Sequence, residues 1–215
     1  EAIADKLCRA LGSENTTAVK NILEKLNENE TLSLLLTARS DIHHANYPAE
    51  STVLCHVQDS LCLSHILKSI EPYSRLSLLL TCEDTTSTNG NYTLAINKLL
   101  TNAKRSQEPQ VLSMLEVIRG LLSPQDWLQL LRSSNSCGIS FIADFLKSIQ
   151  CVKSVEYILN SVENAAERVS LLQMEDYQRE SAVSVIISSG DDILLRTVVK
   201  CLLIHDRLSF FPITN

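Results

Sequence analysis

The sequence predicts an all-α protein, an α-solenoid of about five stacked helical-hairpin repeats. Two linked markers recur along its 215 residues: a short leucine-rich run, and an apolar-x-x-apolar group 13 or 14 residues before each run. The first apolar residues of the runs are 44, 52, 41 and 39 residues apart. The runs begin at Leu32, Leu76, Leu128, Val169 and Leu208, and the groups at Val19, Leu63, Leu115, Val155 and Leu195. Because both markers keep one register five times, we interpret the chain as a repeat protein.

The markers divide a single predicted domain into approximate repeats 1–38, 39–82, 83–133, 134–174 and 175–215. One helical hairpin cannot bury its apolar face alone, so stacked repeats share one continuous core. Each interior leucine contributes on the order of 1.5–3 kcal/mol on leaving water. We therefore expect the leucine runs to be interior.

Three helices are predicted in the first repeat. Apolar residues at helical spacing indicate a helix from Ala2 to Leu11, which Gly12 is expected to end in a left-handed conformation. A second helix is predicted to begin at an N-cap among residues 13–17 and to end at Leu26. The leucine run is predicted to form a short third helix.

The second and third repeats follow the same plan. The second has a helix from about Thr52 and another from Cys62 to Ile70. The third has helices Tyr92 to Thr101 and Pro109 to Arg119, separated by an apparent insertion, Asn102 to Glu108. Gly120 is predicted to end the latter helix, and residues 123–126 to cap the next one.

The last two repeats are the most regular. The fourth is predicted to have helices at Ser140 to Ser148 and Val152 to Ser161. The fifth has Ser181 to Ser188, then Gly190 as a stop, then Asp192 to Leu203.

Residues 181–196 resemble an ankyrin repeat, in which a T-P-L-H-x-A-A-x-x-G stretch leads into an I-V-x-x-L-L helix. Ser181 stands at the Thr position, Val183 at the Leu, Gly190 at the inter-helix Gly, and Leu194-Leu195 at the I-V pair. Residues 19–23 resemble the same second helix, residues 138–142 resemble the G-x-T-P-L opening, and Gly90 with Thr93-Leu94 is a looser version. The resemblance implies an ankyrin-like fold with an extra short helix per repeat.

The sequence also departs from that family. No T-P-L-H tetrapeptide is intact, and the Asp-x-x-Gly hairpin signal survives as Asp176 with Arg179 in place of Gly. The period is about 40 instead of 33 residues, as in the divergent ankyrin-type repeats of bacterial effectors and some invertebrate proteins. A HEAT- or armadillo-like repeat is the structural alternative.

Composition narrows the class of function. The net charge of −6 argues against nucleic acid as the main ligand. The sequence has no long run of basic residues, which argues against binding to a membrane surface. Seven scattered cysteines without a C-x-x-C pair indicate buried thiols in a reducing compartment, although three N-x-T triplets point the other way. We expect a cytoplasmic protein, or the host cytosol for a secreted bacterial effector.

Two clusters of residues are candidate chemical sites. His43-His44 has Asp41 as its nearby carboxylate, and a solvated loop is favoured over a metal site. Cys55-His56 with His65 could form a thiol nucleophile and base, but a structural thiol is favoured. We expect no catalytic residue, no metal and no cofactor.

The expected function is therefore a non-enzymatic protein-protein interaction scaffold. The alternative is a structural spacer or the targeting arm of a larger multidomain protein. The resemblance implies that the partner binds the concave face or the inter-repeat loops, at 37–51, 82–92, 132–140 and 175–181, and we expect a monomer. The candidate partner-binding residues are Asp41, His43, His44, Tyr47, Glu83, Asp84, Trp127, Asn135, Asp176 and Tyr177.

Trp127 precedes its leucine run at a position that the other repeats fill with Thr31, Arg75, Arg168 and Arg207. Since those residues are polar, we expect this position to face outward. Two explanations of the tryptophan stay open: it covers the insertion at 102–108, or it is an exposed anchor for a partner.

Overall fold

The computed structural model describes residues 3–36, 52–84, 92–106, 108–135, 137–149 and 151–202. Over these residues the protein is all-α, apart from one two-stranded hairpin. The chain forms two compact units, Glu1–Leu130 and Leu131–Asn215. The single domain expected from the sequence stays a prediction.

The first unit contains three successive groups of helices. They are α1 (Ile3–Gly12), α2 (Thr16–Leu23) and α3 (Glu28–Leu36); a 3-10 helix (Val53–His56), α4 (Ser60–Lys68) and α5 (Pro72–Leu80); and α6 (Ala95–Ser106), α7 (Glu108–Leu121) and α8 (Pro124–Leu131). Strands β1 (Cys82–Asp84) and β2 (Tyr92–Leu94) pair antiparallel between the second and third groups, with Cys82 opposite Leu94.

The second unit contains the helices of the last two repeats. They are α9 (Phe141–Ser148), α10 (Val152–Asn160), α11 (Ala165–Gln173), α12 (Ala182–Ser189) and α13 (Asp192–Cys201). The four helices whose bounds were predicted, α9, α10, α12 and α13, lie within two residues of those bounds.

Side-chain caps explain where several helices begin. Ser181 accepts a hydrogen bond from the Ser184 backbone N–H while the Ser184 hydroxyl accepts from that of Ser181, a reciprocal capping box. Asn15 and Asp191 cap α2 and α13 more simply, each with a side-chain oxygen that accepts one backbone hydrogen bond. At the other end of α12, Gly190 is left-handed with φ of 65°, as predicted.

Equivalent helices of successive groups pack on one another. In the first unit α2 contacts α4 and α4 contacts α7, while α1 and α6 both contact the 3-10 helix. In the second unit α9 contacts α12 and α10 contacts α13. Helix α4 therefore has one side toward the preceding repeat and one toward the next.

The leucine runs supply much of the core, as predicted. Leu35, Leu79, Leu131 and Leu172, which share one position in the run, are all fully buried. The fifth run lies outside the described residues.

Two arginines at the position before the leucine run connect the C-terminal ends of successive second helices. Arg75 donates through Nε to the Leu67 carbonyl of α4 (2.7 Å) and through Nη1 to the Leu121 carbonyl of α7 (2.8 Å). Arg168 donates to the carbonyl of Val162, just beyond α10 (2.7 Å), and to that of Cys201 in α13 (2.6 Å). Leu121 and Cys201 occupy the same place in their repeats, six residues after Leu115 and Leu195. The two arginines thus make the same cross-repeat link.

The prediction that this position faces outward is wrong. Thr31 and Trp127 are buried, and Arg75 and Arg168 are half-buried with their guanidinium groups on main-chain carbonyls. The alternative of Trp127 as an exposed partner anchor is therefore wrong as well. Whether Trp127 covers the segment 102–108 stays a prediction, since the side chains of residues 104–108 lie outside the described set.

Three further details differ from the sequence prediction. Gly12 lies in α1, and the left-handed residue near the α1–α2 joint is Glu14, with φ of 52°. Gly120 lies inside α7, which ends at Leu121. The predicted insertion is largely helical, because α6 continues to Ser106 with Asn102 and Ala103 buried.

Candidate protein-binding surface

Two turns of the second unit have the same polar framework. The Asn135 side-chain oxygen accepts from the backbone N–H groups of Cys137 (2.9 Å) and Ile139 (3.0 Å). The Asp176 carboxylate accepts from those of Gln178 and Glu180, both at 2.8 Å. Each turn thus satisfies two partly buried backbone donors with one side chain.

Each turn contains one residue in the left-handed region. It is Gly138 in the first turn, with φ of 76°, and Arg179 in the second, with φ of 59°. The structure therefore places Arg179 where the sequence comparison expected a glycine. A left-handed conformation costs a residue other than glycine on the order of 1 kcal/mol, so the second turn carries a local strain that its hydrogen bonds offset.

The two turns lie side by side, and Tyr177 joins them. A Cβ atom added at Gly138 would lie 3.3 Å from the Tyr177 ring, so the ring rests on the bare glycine backbone. The tyrosine nevertheless remains 81% exposed. This position presents an aromatic ring that is supported on one side and open to a partner on the other.

An open groove of about 480 Å³ lies between the second turn and α12. Val183 and Ile187, one helical turn apart, supply its apolar part, and Ile187 is 53% exposed. Glu175 and Arg179 provide one charge of each sign. On the same turn, Glu180 forms an ion pair with Lys147 of α9.

The structure separates the predicted site residues into different environments. Tyr177 is exposed, whereas Asn135 and Asp176 are buried and hold the turns. Glu83 and Asp84 pair with Thr93 and Tyr92 in the hairpin, with side chains outside the described residues. Trp127 is buried. Four other candidates lie in a segment outside the described residues: Asp41, His43, His44 and Tyr47.

Sequence reasoning missed the groove residues Arg179, Val183 and Ile187. A signal for them exists in α12, which is apolar on nearly every side (Ala182, Val183, Val185, Ile186, Ile187). A helix that packs on neighbours over only part of its circumference cannot bury all of these residues, so some must face solvent.

The cysteines of the described residues carry thiols, and four of them are buried: Cys8, Cys62, Cys151 and Cys201, with Cys137 half-buried. Burial raises the pKa of Cys8 to about 11. Burial, and then the nearby Asp59 carboxylate, raise the pKa of Cys62 to about 12. The pKa of Cys201 is also raised, first by burial. Such thiols are poor nucleophiles, because the reactive form is the thiolate.

No group of His, Cys, Asp and Glu suited to hold a metal ion occurs among the described residues. Of the predicted thiol and histidine cluster, His56 is buried and His65 is half-buried. The side chain of Cys55 lies outside the described residues. No helix in the described part of the chain is long and apolar enough to cross a membrane.

Comparison of the chain with protein families, with curated proteins and with solved structures found no match.

Proposed function

We propose that this chain is a non-enzymatic protein-interaction scaffold, and that it binds a partner protein through the Tyr177 surface. We define this surface as Tyr177 together with the groove of Arg179, Val183 and Ile187. The observation that carries the proposal is a highly exposed tyrosine, fixed against a neighbouring turn, beside an open groove that is partly apolar.

The proposal includes an α-solenoid of ankyrin-like repeats with a third short helix in each. It is supported by the packing of equivalent helices in each unit and by the turns before α9 and α12. Each turn closes with a short antiparallel bridge, Ser134 with Ser140 and Glu175 with Ser181, before a serine caps the next helix. The hairpin β1–β2 precedes α6 in the same manner.

The chemistry of the Tyr177 surface suits a protein partner. Tyrosine is enriched at interfaces because its ring offers a large contact area and its hydroxyl a hydrogen bond. Val183 and Ile187 offer a place for an apolar side chain, and the flanking Glu175 and Arg179 can each receive an opposite charge. The turn needs little reordering on binding, since Asp176 already fixes its backbone.

A pull-down with paired variants tests this function. Wild-type protein, Tyr177→Ser and a control, Tyr73→Ser, are used as bait, and captured proteins are quantified by mass spectrometry. Tyr73 is a suitable control because it is 76% exposed on α5 in the other unit. We expect a protein captured by wild type and Tyr73→Ser but depleted at least tenfold by Tyr177→Ser.

The result that contradicts the proposal is equal capture by all three baits, with Ile187→Asp also without effect. That result would favour the alternative, a structural spacer or targeting arm of a larger protein. The buried thiols are consistent with the proposed reducing compartment, the cytoplasm or, for a secreted effector, the host cytosol.

A further inference from the structure

Arg179 has a backbone conformation that glycine adopts at a lower cost. Its φ is 59°, and the equivalent turn before α9 has Gly138 at this point, with φ of 76°. A residue other than glycine loses on the order of 1 kcal/mol in this region. Such an outlier points to a role for the side chain, either in the fold or in what the fold binds.

The fold does not use the Arg179 side chain. The guanidinium is exposed and makes no hydrogen bond or ion pair within the part of the chain that the structure describes. Two other arginines of this unit are used differently, because Arg168 donates to two main-chain carbonyls and Arg132 pairs with Glu167. The guanidinium of Arg179 is therefore free to bind a ligand.

The other charges of the turn leave Arg179 as its one unbalanced cation among the described residues. Glu180 forms an ion pair with Lys147 of α9, and the Asp176 carboxylate accepts two backbone hydrogen bonds of the turn. Glu175 lines the same groove as Arg179, is exposed, and has no side-chain partner in the described set. Arg179 and Glu175 thus share the groove without forming an ion pair.

A carboxylate is the group that suits this arrangement best. A guanidinium binds a carboxylate or a phosphate through two parallel N–H···O hydrogen bonds. A dianionic phosphate would be repelled by Glu175 in the same groove, with one free cation to balance it, whereas a carboxylate carries the single charge that Arg179 matches. Glu175 gives no comparable reason to expect a basic ligand, since it lies in an unstrained bridge opposite Ser181.

We propose that the partner of the Tyr177 surface is an acidic peptide segment. In this segment an aspartate or glutamate carboxylate binds Arg179, and a neighbouring apolar side chain packs on Val183 and Ile187 in the same groove. Arg179 is then the residue that determines which charge the segment carries. The inference rests on the proposed function, because it concerns the same surface, and it adds the chemical class of the ligand.

Selection from a phage-displayed library of random peptides tests the inference without knowledge of the natural partner. The library is panned on the wild-type protein, on Tyr177→Ser and on Arg179→Glu. We expect the wild type to enrich peptides with an aspartate or glutamate beside an apolar residue, and Tyr177→Ser to lose these peptides. Arg179→Glu should enrich lysine or arginine in place of the acidic residue, because the substitution reverses the charge that the peptide meets.

Arg179→Gly provides the quantitative test. An enriched acidic peptide should bind this variant about tenfold more weakly than the wild type in a fluorescence-anisotropy titration. The variant should nevertheless unfold at a similar urea concentration, because relief of the left-handed strain offsets the greater freedom of glycine in the unfolded chain. Arg196→Met is the matched control and should bind the peptide like the wild type, since Arg196 is an exposed arginine that pairs with Asp192 on α13.

The inference and the proposed function fail in different ways. Enriched peptides that depend on Tyr177 but carry no acidic residue, or that bind Arg179→Gly as tightly as the wild type, overturn the inference and leave the Tyr177 surface as a binding site. Enrichment of basic peptides by the wild type also overturns it, as does tighter binding of a peptide with phosphoserine in place of its acidic residue. If the wild type enriches no peptide over Tyr177→Ser, the Tyr177 surface does not bind peptides and the inference fails with it.

Discussion

Replacement of Arg168 by methionine should destabilise the second unit, because Arg168 connects the ends of two stacked helices. Its guanidinium donates to the carbonyl of Val162, beyond α10, and to that of Cys201 at the end of α13. Methionine preserves most of the apolar stem and removes only the charged donors. The substitution therefore isolates the cross-repeat link.

The magnitude follows from the two hydrogen bonds. A hydrogen bond from a charged donor contributes about 1.5–3 kcal/mol to the free energy of unfolding. Because Arg168 is half-buried, water can hydrate the two carbonyls once the guanidinium is removed. The lower part of that range therefore applies to each of the two hydrogen bonds. A cation at a helix C-terminus adds a few tenths of a kcal/mol. We expect a total loss of about 3–4 kcal/mol, and a partial loss for Arg168→Lys, since one ammonium cannot span both carbonyls as the guanidinium does.

Urea denaturation followed by circular dichroism measures this loss. Arg196→Met is the matched control, because Arg196 is 80% exposed and pairs with Asp192 one turn away on α13. Such an exposed pair contributes at most about 0.5 kcal/mol. If Arg168→Met costs no more than Arg196→Met, the cross-repeat link is not a stabilising element and the reasoning fails.

Three other predictions concern the interior. Leu79→Ala should cost about 2–5 kcal/mol because Leu79 is fully buried, and a loss below about 0.5 kcal/mol in urea would show that the leucine run is exposed. Trp127 is 2% exposed, so its fluorescence should be blue-shifted and Trp127→Arg should lower stability; the emission of a solvated indole would contradict its burial. Among the thiols of the described residues, half-buried Cys137 should react first with a thiol reagent at about pH 8. Cys8 and Cys62, whose pKa values are raised, should react only on denaturation, and rapid labelling of either in the folded protein would refute this order.

The periodic features of the sequence predicted the helices well. Burial of one face fixes the spacing of apolar residues, so α9, α10, α12 and α13 match their predicted bounds within two residues. The prediction failed where polar composition suggested a loop but helix propensity and burial favoured a helix. Residues 102–106 are polar enough to suggest a loop, yet they extend α6, since alanine, lysine and arginine are good helix formers and Asn102 and Ala103 find places in the core.

The position before the leucine run shows why the candidate site was harder to predict. Arginine at this position suggested an outward face, but main-chain carbonyls at helix ends are good partners for an inward guanidinium. Single-residue polarity cannot distinguish the two cases. In the same way, Asn135 and Asp176 were chosen for their polar side chains, which the structure uses within the turns, whereas Tyr177 is presented outward.

The central claim is that successive repeats stack through equivalent helices, and methyl NOESY spectra of Ile-, Leu- and Val-labelled protein test it most directly. The account predicts cross-peaks between methyl groups of α2 and α4, of α4 and α7, and of α10 and α13. Observation of these three sets would establish the stacking on which the proposed repeat scaffold depends. If α10 and α13 give no cross-peaks although both are helical, the stacked-repeat account is wrong.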